Sequence, residues 1–534
     1  MRYDSERFLK WTLAACGAVL FLSLGPRALW DPDEGRYAEM AREILALGDW
    51  VTPHLNNLLY FEKPMMFMWL EAISFKVLGV SEWAARLVSL LEALGGVFLV
   101  GLMAKKLWGR RAGLIASLCL ITSVEYFVLA SAVDINMTLT LFITAAFVFF
   151  WLGHTEATAG YFYLFWASMA CATLTKGPIG VILPVGAIGL YILITRQFKL
   201  VRQSRPVTGT LLYLAITLPW FILVSMRNPD FFNFFFINQN IQRYAISKER
   251  YQPFYYFFLV IIGGFLPWTF LLPTVVKETW MHRMSREIIY IAIWFGFIFA
   301  FFTPSHSKLI TYVLPCFPPL ALLLAYAVHS APDKARIPLI LTGIFWCLAG
   351  IAVVISQFIL IHGLMSLSGK GIELFMHYGM LMGGFVIIGV ISGMLVGLKY
   401  DNAAGIGIIG ATIMIIALVF SPLWDDMQST KTLVKDMPPQ AKLYTYKAYY
   451  PSSSFYTQGK VVLVDYSGEL DFGVRHSTSQ GAVLTLDELA RLMKTDKDTY
   501  CLSTMKRLPA LRARIPDLTV VRQTGSMCLL NIPR

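Results

Sequence analysis

The stretch Trp30-Asp31-Pro32-Asp33-Glu34-Gly35-Arg36-Tyr37 places three carboxylates within four residues. Acids at that density can exchange protons, orient a substrate, hold a metal or open a helix. Helix grammar accounts for two of them: Asp31 suits the N-cap, Pro32 the first helical position, and Glu34 completes a capping box. Acids in a first turn also favour the helix dipole. Asp31-Pro32-Asp33 has the form of a D-x-D motif, so a divalent metal near these carboxylates stays open, and no cofactor is certain. A second acid of interest is Asp134, in Ser131-Ala132-Val133-Asp134-Ile135-Asn136, where a helix cap competes with a functional acid embedded between two apolar runs.

Cations come from four separate places. Lys63, in Tyr60-Phe61-Glu62-Lys63-Pro64, would stand at the N-terminus of a helix starting at Pro64, where the dipole disfavours positive charge. Capping therefore does not explain it, and anion binding does. Lys176, in Thr175-Lys176-Gly177-Pro178, also fits a plain helix C-terminus. Arg243, in Asn240-Ile241-Gln242-Arg243-Tyr244, also fits solvated charge, and Lys308 and Tyr312 are four apart on one expected helix face, where snorkelling is the alternative. Four cations from four loops suit a phosphate or pyrophosphate, with arginine able to bind in bidentate fashion. Gathered beside Asp31, Asp33, Glu34, Glu62 and Asp134 at one face of a membrane, they suggest a lipid-phosphate substrate. The chain has no Walker A loop, no dinucleotide-binding glycine fingerprint after a strand and no His-Glu-x-x-His.

The elements that must position these residues are mostly membrane spans. Of 534 residues, 57% are hydrophobic and only 15% charged, and mean hydropathy is +0.60. A soluble domain carries roughly 25% charged residues. Apolar runs of membrane-crossing length recur, about thirteen of them, starting near Phe8, Trp83, Ala112, Asp134, Tyr161, Pro178, Thr208, Pro253, Ile288, Leu309, Ile337, Leu374 and Asn402. Phe8 to Leu24 has no small-residue cleavage site and reads as a retained anchor. The net charge of +12 does not signal nucleic acid, because the basic clusters fall in alternate loops: Arg2/Arg7/Lys10, Lys105/Lys106/Arg110/Arg111, Arg196/Lys199/Arg202/Arg205, Lys277/Arg283/Arg286 and Lys334/Arg336. The positive-inside rule makes those loops cytoplasmic. The amino terminus is then cytoplasmic, and every polar motif above falls on the opposite side.

The expected organisation is a polytopic, all-α transmembrane domain over residues 1–421 and a small α/β domain over 422–534. Within the first, loop 25–82 carries an amphipathic helix from Asp33 to Gly48, with Tyr37, Met40, Ala41, Ile44 and Leu45 on one face. A more apolar helix follows Pro64, and both suit a membrane interface or the bundle surface. In the second, Leu443–Tyr446, Val461–Val464, Thr499–Ser503 and Leu518–Arg522 read as strands, and Thr485-Leu486-Asp487-Glu488 as a capping box opening a helix through Lys494. Cys501 and Cys528 lie there, where a disulfide could form.

These motifs carry a resemblance. Pro32-Asp33-Glu34, Arg36-Tyr37-Ala38-Glu39, Gly48-Asp49-Trp50, Tyr60-Phe61-Glu62-Lys63-Pro64, Thr175-Lys176-Gly177, Ile241-Gln242-Arg243-Tyr244, Leu266-Pro267-Trp268, Lys308-Leu309 with Thr311-Tyr312, and Ser467-Gly468-Glu469-Leu470 look like the bacterial lipid A aminoarabinose transferases, relatives of the protein O-mannosyltransferases. The resemblance implies a C-type glycosyltransferase fold of about thirteen helices in the bacterial inner membrane, with a periplasmic C-terminal domain. It implies a polyprenyl-phosphate-linked sugar donor, 4-amino-4-deoxy-L-arabinose as the sugar, and lipid A or another periplasmic acceptor. It makes Asp33 the first choice for the essential carboxylate, with Asp134 and Glu34 as further catalytic candidates. Lys63, Lys176, Arg243, Lys308 and Tyr312 match positions around the carrier phosphate, and Asp31, Glu62 and Tyr60 positions that hold the sugar or the loop. Membrane lipids are expected neighbours, nucleic acid is not a partner, and a monomer is expected.

Alternatives stay open at this point: another sugar such as galacturonic acid or a hexose, another acceptor such as the lipopolysaccharide core or a protein hydroxyl, a lipid-phosphate transporter, or a membrane-anchored binding protein. Two acids lie outside the matched motifs. Glu92, and Glu125 nine residues before Asp134, are placed by straight-helix geometry about 14 Å beneath the outer surface, lining one polar cavity or separately hydrogen-bonded.

Overall fold

The computed structural model describes residues 2–25, 27–236, 251–363, 370–420, 425–438, 440–459, 461–476, 483–496 and 498–532. A helix or bent helix pair begins close to each of the thirteen expected span starts. Among the described residues, six helices are by themselves long and apolar enough to cross a membrane: Glu82–Trp108, Ile135–Glu156, Pro206–Arg227, Ile310–Ser330, Pro332–Ile355 and Leu381–Lys399. Others are shorter, such as Ile179–Thr195, or broken: Arg110–Thr122 meets Val124–Ala130 at 70°, and Tyr256–Gly264 meets Trp268–Met281 at 107°. The protein is a multi-pass membrane protein.

The chain forms two compact units. One comprises Met1–Leu24 with Ser89–Phe420, the other Gly25–Val88 with Ser421–Arg534. Loop one therefore folds with the C-terminal segment, which a boundary at residue 421 drawn from composition does not anticipate.

The first unit is the helical bundle. Its Ile135–Glu156 helix is central, with 83% of its apolar window buried, whereas Pro206–Arg227 has only 22% buried and exposes Leu211, Ile222 and Met226. So much exposed apolar surface suits lipid and not water.

The second unit is α/β. Strands β1 (His54–Leu55) and β2 (Leu58–Leu59) form a small hairpin. Strands β3 (Lys442–Tyr446), β4 (Val462–Val464), β5 (Val483–Leu484), β6 (Thr499–Thr504), β7 (Thr519–Thr524) and β8 (Met527–Asn531) form a six-stranded sheet in the order β5-β4-β3-β6-β8-β7. Its first four strands run parallel, and β8 is antiparallel to both β6 and β7. Tyr444, Val464, Leu489, Cys501, Leu511 and Leu530 share its core. The Thr485 capping box is present and opens Leu486–Thr495. Strand β8 and the two-residue β5 escape the sequence reading. Cys501 and Cys528 are free and buried, on adjacent strands but out of register: Cys501 pairs with Leu530, and Cys528 with Ser503.

The amphipathic helix of loop one, Asp33–Leu47, ends at Gly48 in the left-handed region, φ 67°. It packs against Met66–Leu78 and Pro451–Thr457, burying Glu34, Arg36, Glu39 and Glu43 along with its apolar residues. It is thus an interior helix of this unit and not an interfacial one. The Met66–Leu78 helix keeps an apolar face outward, with Ile73, Val77 and Leu78 exposed, as an interfacial helix would.

Candidate functional site

In the second unit the WDPDEGRY turn is built differently from a capping box. The residue capping Asp33–Leu47 is Pro32, and no side chain caps the helix. The Asp31 carboxylate instead accepts the Ser452 backbone N–H at 2.8 Å and the Ser452 hydroxyl. Burial pushes Asp31 up to about 7 against the lowering effect of both Ser452 bonds and of Arg36. Gly35 permits this docking: a Cβ there would lie 2.5 Å from Ser452 N and 2.8 Å from Asp31 Oδ1.

Glu34 is a clasp. Its oxygens accept Arg27 Nη2 at 3.1 Å, Arg86 Nε at 2.8 Å, Arg86 Nη2 at 2.9 Å and the Trp30 N–H at 3.0 Å. Burial alone would raise its pKa, but Arg86 and Arg27 reverse this and hold it at about 2. With these four bonds made inside the protein, Glu34 is placed to hold the loop. Arg86 also donates to the carbonyls of Arg27 and Ala28 at 2.8 Å each.

Asp33 alone of the three acids faces outward, its side chain 54% exposed. Arg36 donates to Asp33 at 2.8 Å and to Glu469 at 2.7 Å, leaving its buried Nε without a hydrogen bond among the described residues. Tyr60 is buried; burial raises its pKa first, Glu62 adds to that, and Arg36 opposes it. Glu469 is likewise raised, by burial first, and lowered by Arg36. Lys63 is half-buried and donates to the Glu62 carbonyl at 3.0 Å. It precedes the helix, whose cap is Met65. The three loop-one carboxylates diverge to different partners, and among the described residues no group of three or more His, Cys, Asp or Glu is arranged to hold a metal ion.

In the first unit Asp134 is the N-cap of Ile135–Glu156, accepting the Asn136 N–H at 2.6 Å. Asn136 in turn accepts from Lys176, whose ammonium lies 4.5 Å from the centre of the Tyr312 ring, a cation–π distance. Lys176 ends Ala159–Lys176, and Gly177 follows at φ 74°, as the C-terminal signal required. Lys308 and Tyr312 do not share a helix face: Leu309 is extended before the 3-10 helix Ile310–Cys316. Lys308 is buried and donates to the Gln252 carbonyl at 2.9 Å. Arg243 lies outside the described residues. The structure thus brings Asp134, Asn136, Lys176 and Tyr312 together in one unit, and Asp31, Asp33, Glu34, Arg36 and Tyr60 in the other.

Near Lys176, Thr173 and Pro178 line an apolar cavity of about 630 Å³ with Tyr213, Thr217, Phe221 and Phe236. An apolar cavity lined by residues that flank a lysine in sequence suits an amphiphile with an anionic head. Sequence reasoning did not foresee Arg27, Arg86, Ser452 or Asn136 as partners. Arg86 had a signal, a lone arginine entering an apolar run.

Comparison with known proteins gives a consistent result. Residues 15–235 match the family model for dolichyl-phosphate-mannose-protein mannosyltransferase, and residues 429–530 the aminoarabinose transferase C-terminal domain. The chain is 34% identical to the undecaprenyl phosphate-alpha-4-amino-4-deoxy-L-arabinose arabinosyl transferase of Aeromonas salmonicida, over 65% of this chain and 66% of that relative. It is 27% identical to the enzyme of the same name from Edwardsiella ictaluri, over 98% of this chain and 99% of that relative. The crystal structure of ArnT from Cupriavidus metallidurans bound to undecaprenyl phosphate superposes with a TM-score of 0.85 at 29% identity, covering 97% of both chains.

Proposed function

We propose that this chain, which belongs to the bacterial lipid A aminoarabinose transferase family, is an integral membrane glycosyltransferase of the inner membrane. It moves 4-amino-4-deoxy-L-arabinose from undecaprenyl phosphate to a phosphate of lipid A at the periplasmic face. The amino terminus is cytoplasmic, the C-terminal domain periplasmic, and the working form a monomer. The observation that carries the reading is Lys176, held by Asn136 and stacked on Tyr312, with its chain neighbours Thr173 and Pro178 lining an apolar cavity that suits part of a polyprenyl tail.

In the transfer, the bond between the sugar's anomeric carbon and the carrier phosphate oxygen breaks. A new bond forms from a lipid A phosphate oxygen to the same carbon, and undecaprenyl phosphate leaves with the electron pair. Lys176, Tyr312 and Lys308, all in the helical unit, stabilise that developing charge by fixed electrostatics. An acceptor phosphate is already ionised and needs no general base. Asp33 therefore serves to orient the acceptor or the sugar for in-line attack, its carboxylate braced by Arg36. Asp134 fixes the start of the helix that presents Asn136.

The test is mass spectrometry of lipid A incubated with purified full-length protein and undecaprenyl phosphate-linked aminoarabinose. The wild type adds one aminoarabinose to a lipid A phosphate, and Asp33→Asn lowers the rate by about 100-fold or more, as loss of a transition-state interaction does. Transfer to another acceptor, preference for a neutral hexose or galacturonic acid donor, or an unimpaired Asp33→Asn would overturn the corresponding part.

A further inference from the structure

Glu125 has no role in the scheme above, and its setting is unusual. It lies on Val124–Ala130, the short arm beyond the 70° break in its span. Straight-helix geometry, which set it deep beneath Asp134, therefore does not apply. It is 5% exposed, and both carboxylate oxygens are buried without a hydrogen-bond partner among the described residues. The neighbouring acids are occupied: Glu92 accepts the Thr138 hydroxyl at 2.8 Å to each oxygen, and Asp134 caps its helix.

A buried carboxylate with no donor is costly in a protein interior, and a ligand that supplies a positive charge would relieve that cost. Gly264 packs directly against it: a Cβ there would lie 2.6 Å from Glu125 Oε2. The arm carrying Glu125 packs on the 3-10 helix Ile310–Cys316, and that helix also packs on Ile135–Glu156. Ile310–Cys316 supplies Tyr312, the ring beneath Lys176, and Ile135–Glu156 supplies Asn136, the acceptor for Lys176. One short element is thus flanked by a lysine that lies over its tyrosine ring and by an acid with no hydrogen-bond donor among the described residues. A donor with an anionic phosphate and a cationic amine on the sugar has the complementary pair of charges.

Resting on the proposed transfer, we infer that Glu125 is the binding group for the sugar's primary ammonium, and so selects an amino sugar over a neutral one.

The experiment compares two undecaprenyl-phosphate donors on the full-length protein, one with the free 4-amine and one with that amine N-formylated, which removes the charge. Wild type is expected to prefer the free amine by about tenfold or more in kcat/KM. Glu125→Gln is expected to raise KM for the amine donor until that preference falls to about one, leaving the N-formyl donor's kcat/KM unchanged. If Glu125→Gln does not accumulate, Gly264→Ala displaces the same carboxylate and the same ratio is read. An intact preference in the variant, or an equal loss for both donors, overturns the inference while wild-type transfer stands. A wild type that transfers neither donor overturns the proposed function instead.

Discussion

In the unit formed by Gly25–Val88 and Ser421–Arg534, charge answers charge: Glu34 lies between Arg27 and Arg86, and Arg36 between Asp33 and Glu469. In the helical unit Asp401 meets Arg111 and Glu278 meets Lys334, but Glu92 meets only a hydroxyl and Glu125 no hydrogen-bond donor among the described residues. Buried pairs with full hydrogen bonding hold a shape, whereas a buried group left short of donors keeps an unmet demand that a ligand can satisfy. The contrast separates a residue that makes the scaffold, Glu34, from one that awaits a substrate, Glu125, although both are buried.

Breaking the clasp should have the largest effect. Glu34→Ala leaves two buried guanidinium groups without their carboxylate, and removing one partner of a buried pair costs about 3–5 kcal/mol. The expected result is a sharp fall in accumulation and melting temperature of the full-length protein. A variant that melts with the wild type would refute the scaffold role. Lys176→Met should behave in the opposite way, since this lysine ends its helix, where it donates to an amide and lies over a ring. Melting should stay close to wild type while KM for the lipid-phosphate donor rises about 10- to 100-fold, the weight of one or two charge-assisted bonds. Unchanged donor kinetics would remove Lys176 from the carrier site.

The smallest expected effect is a pH slope. Asp31 is raised from 3.8 to about 7 by burial, so between roughly pH 4 and pH 7 the folded state holds a proton that the unfolded state has lost, and stability falls as pH rises through that window. Asp31→Asn should flatten the decline in melting temperature from pH 5 to pH 8. Glu34 has the opposite sign and acts only below about 4.5, where its stabilisation is lost as pH falls towards 2. An identical slope in the variant would show that Asp31 does not titrate there.

Much of the helical unit was legible because a span announces itself through some twenty apolar residues, and the Thr485 capping box because its partners are three residues apart. What stayed hidden depended on distant partners. Glu34 reads locally as a cap, and only the fold brings it Arg86, 52 positions away. Asp31 reads the same way until Ser452 arrives from 421 positions on. Lys308 and Tyr312 look like neighbours on a helix because spacing cannot reveal that Leu309 is extended. The break at Ser123 has no proline or glycine to mark it, so straight-helix spacing does not place Glu125, while its singularity as an acid in an apolar run is plain.

Gly35 has a consequence for how such a chain can change over time. Because a methyl group at this position would collide with the backbone of Ser452, loop one and the C-terminal segment must be inherited as a single block. A chimera that exchanges one of them between relatives inherits a mismatched seam at Asp31 and Gly35, so recombination is expected to preserve the two segments together even though more than three hundred residues of bundle separate them in the gene.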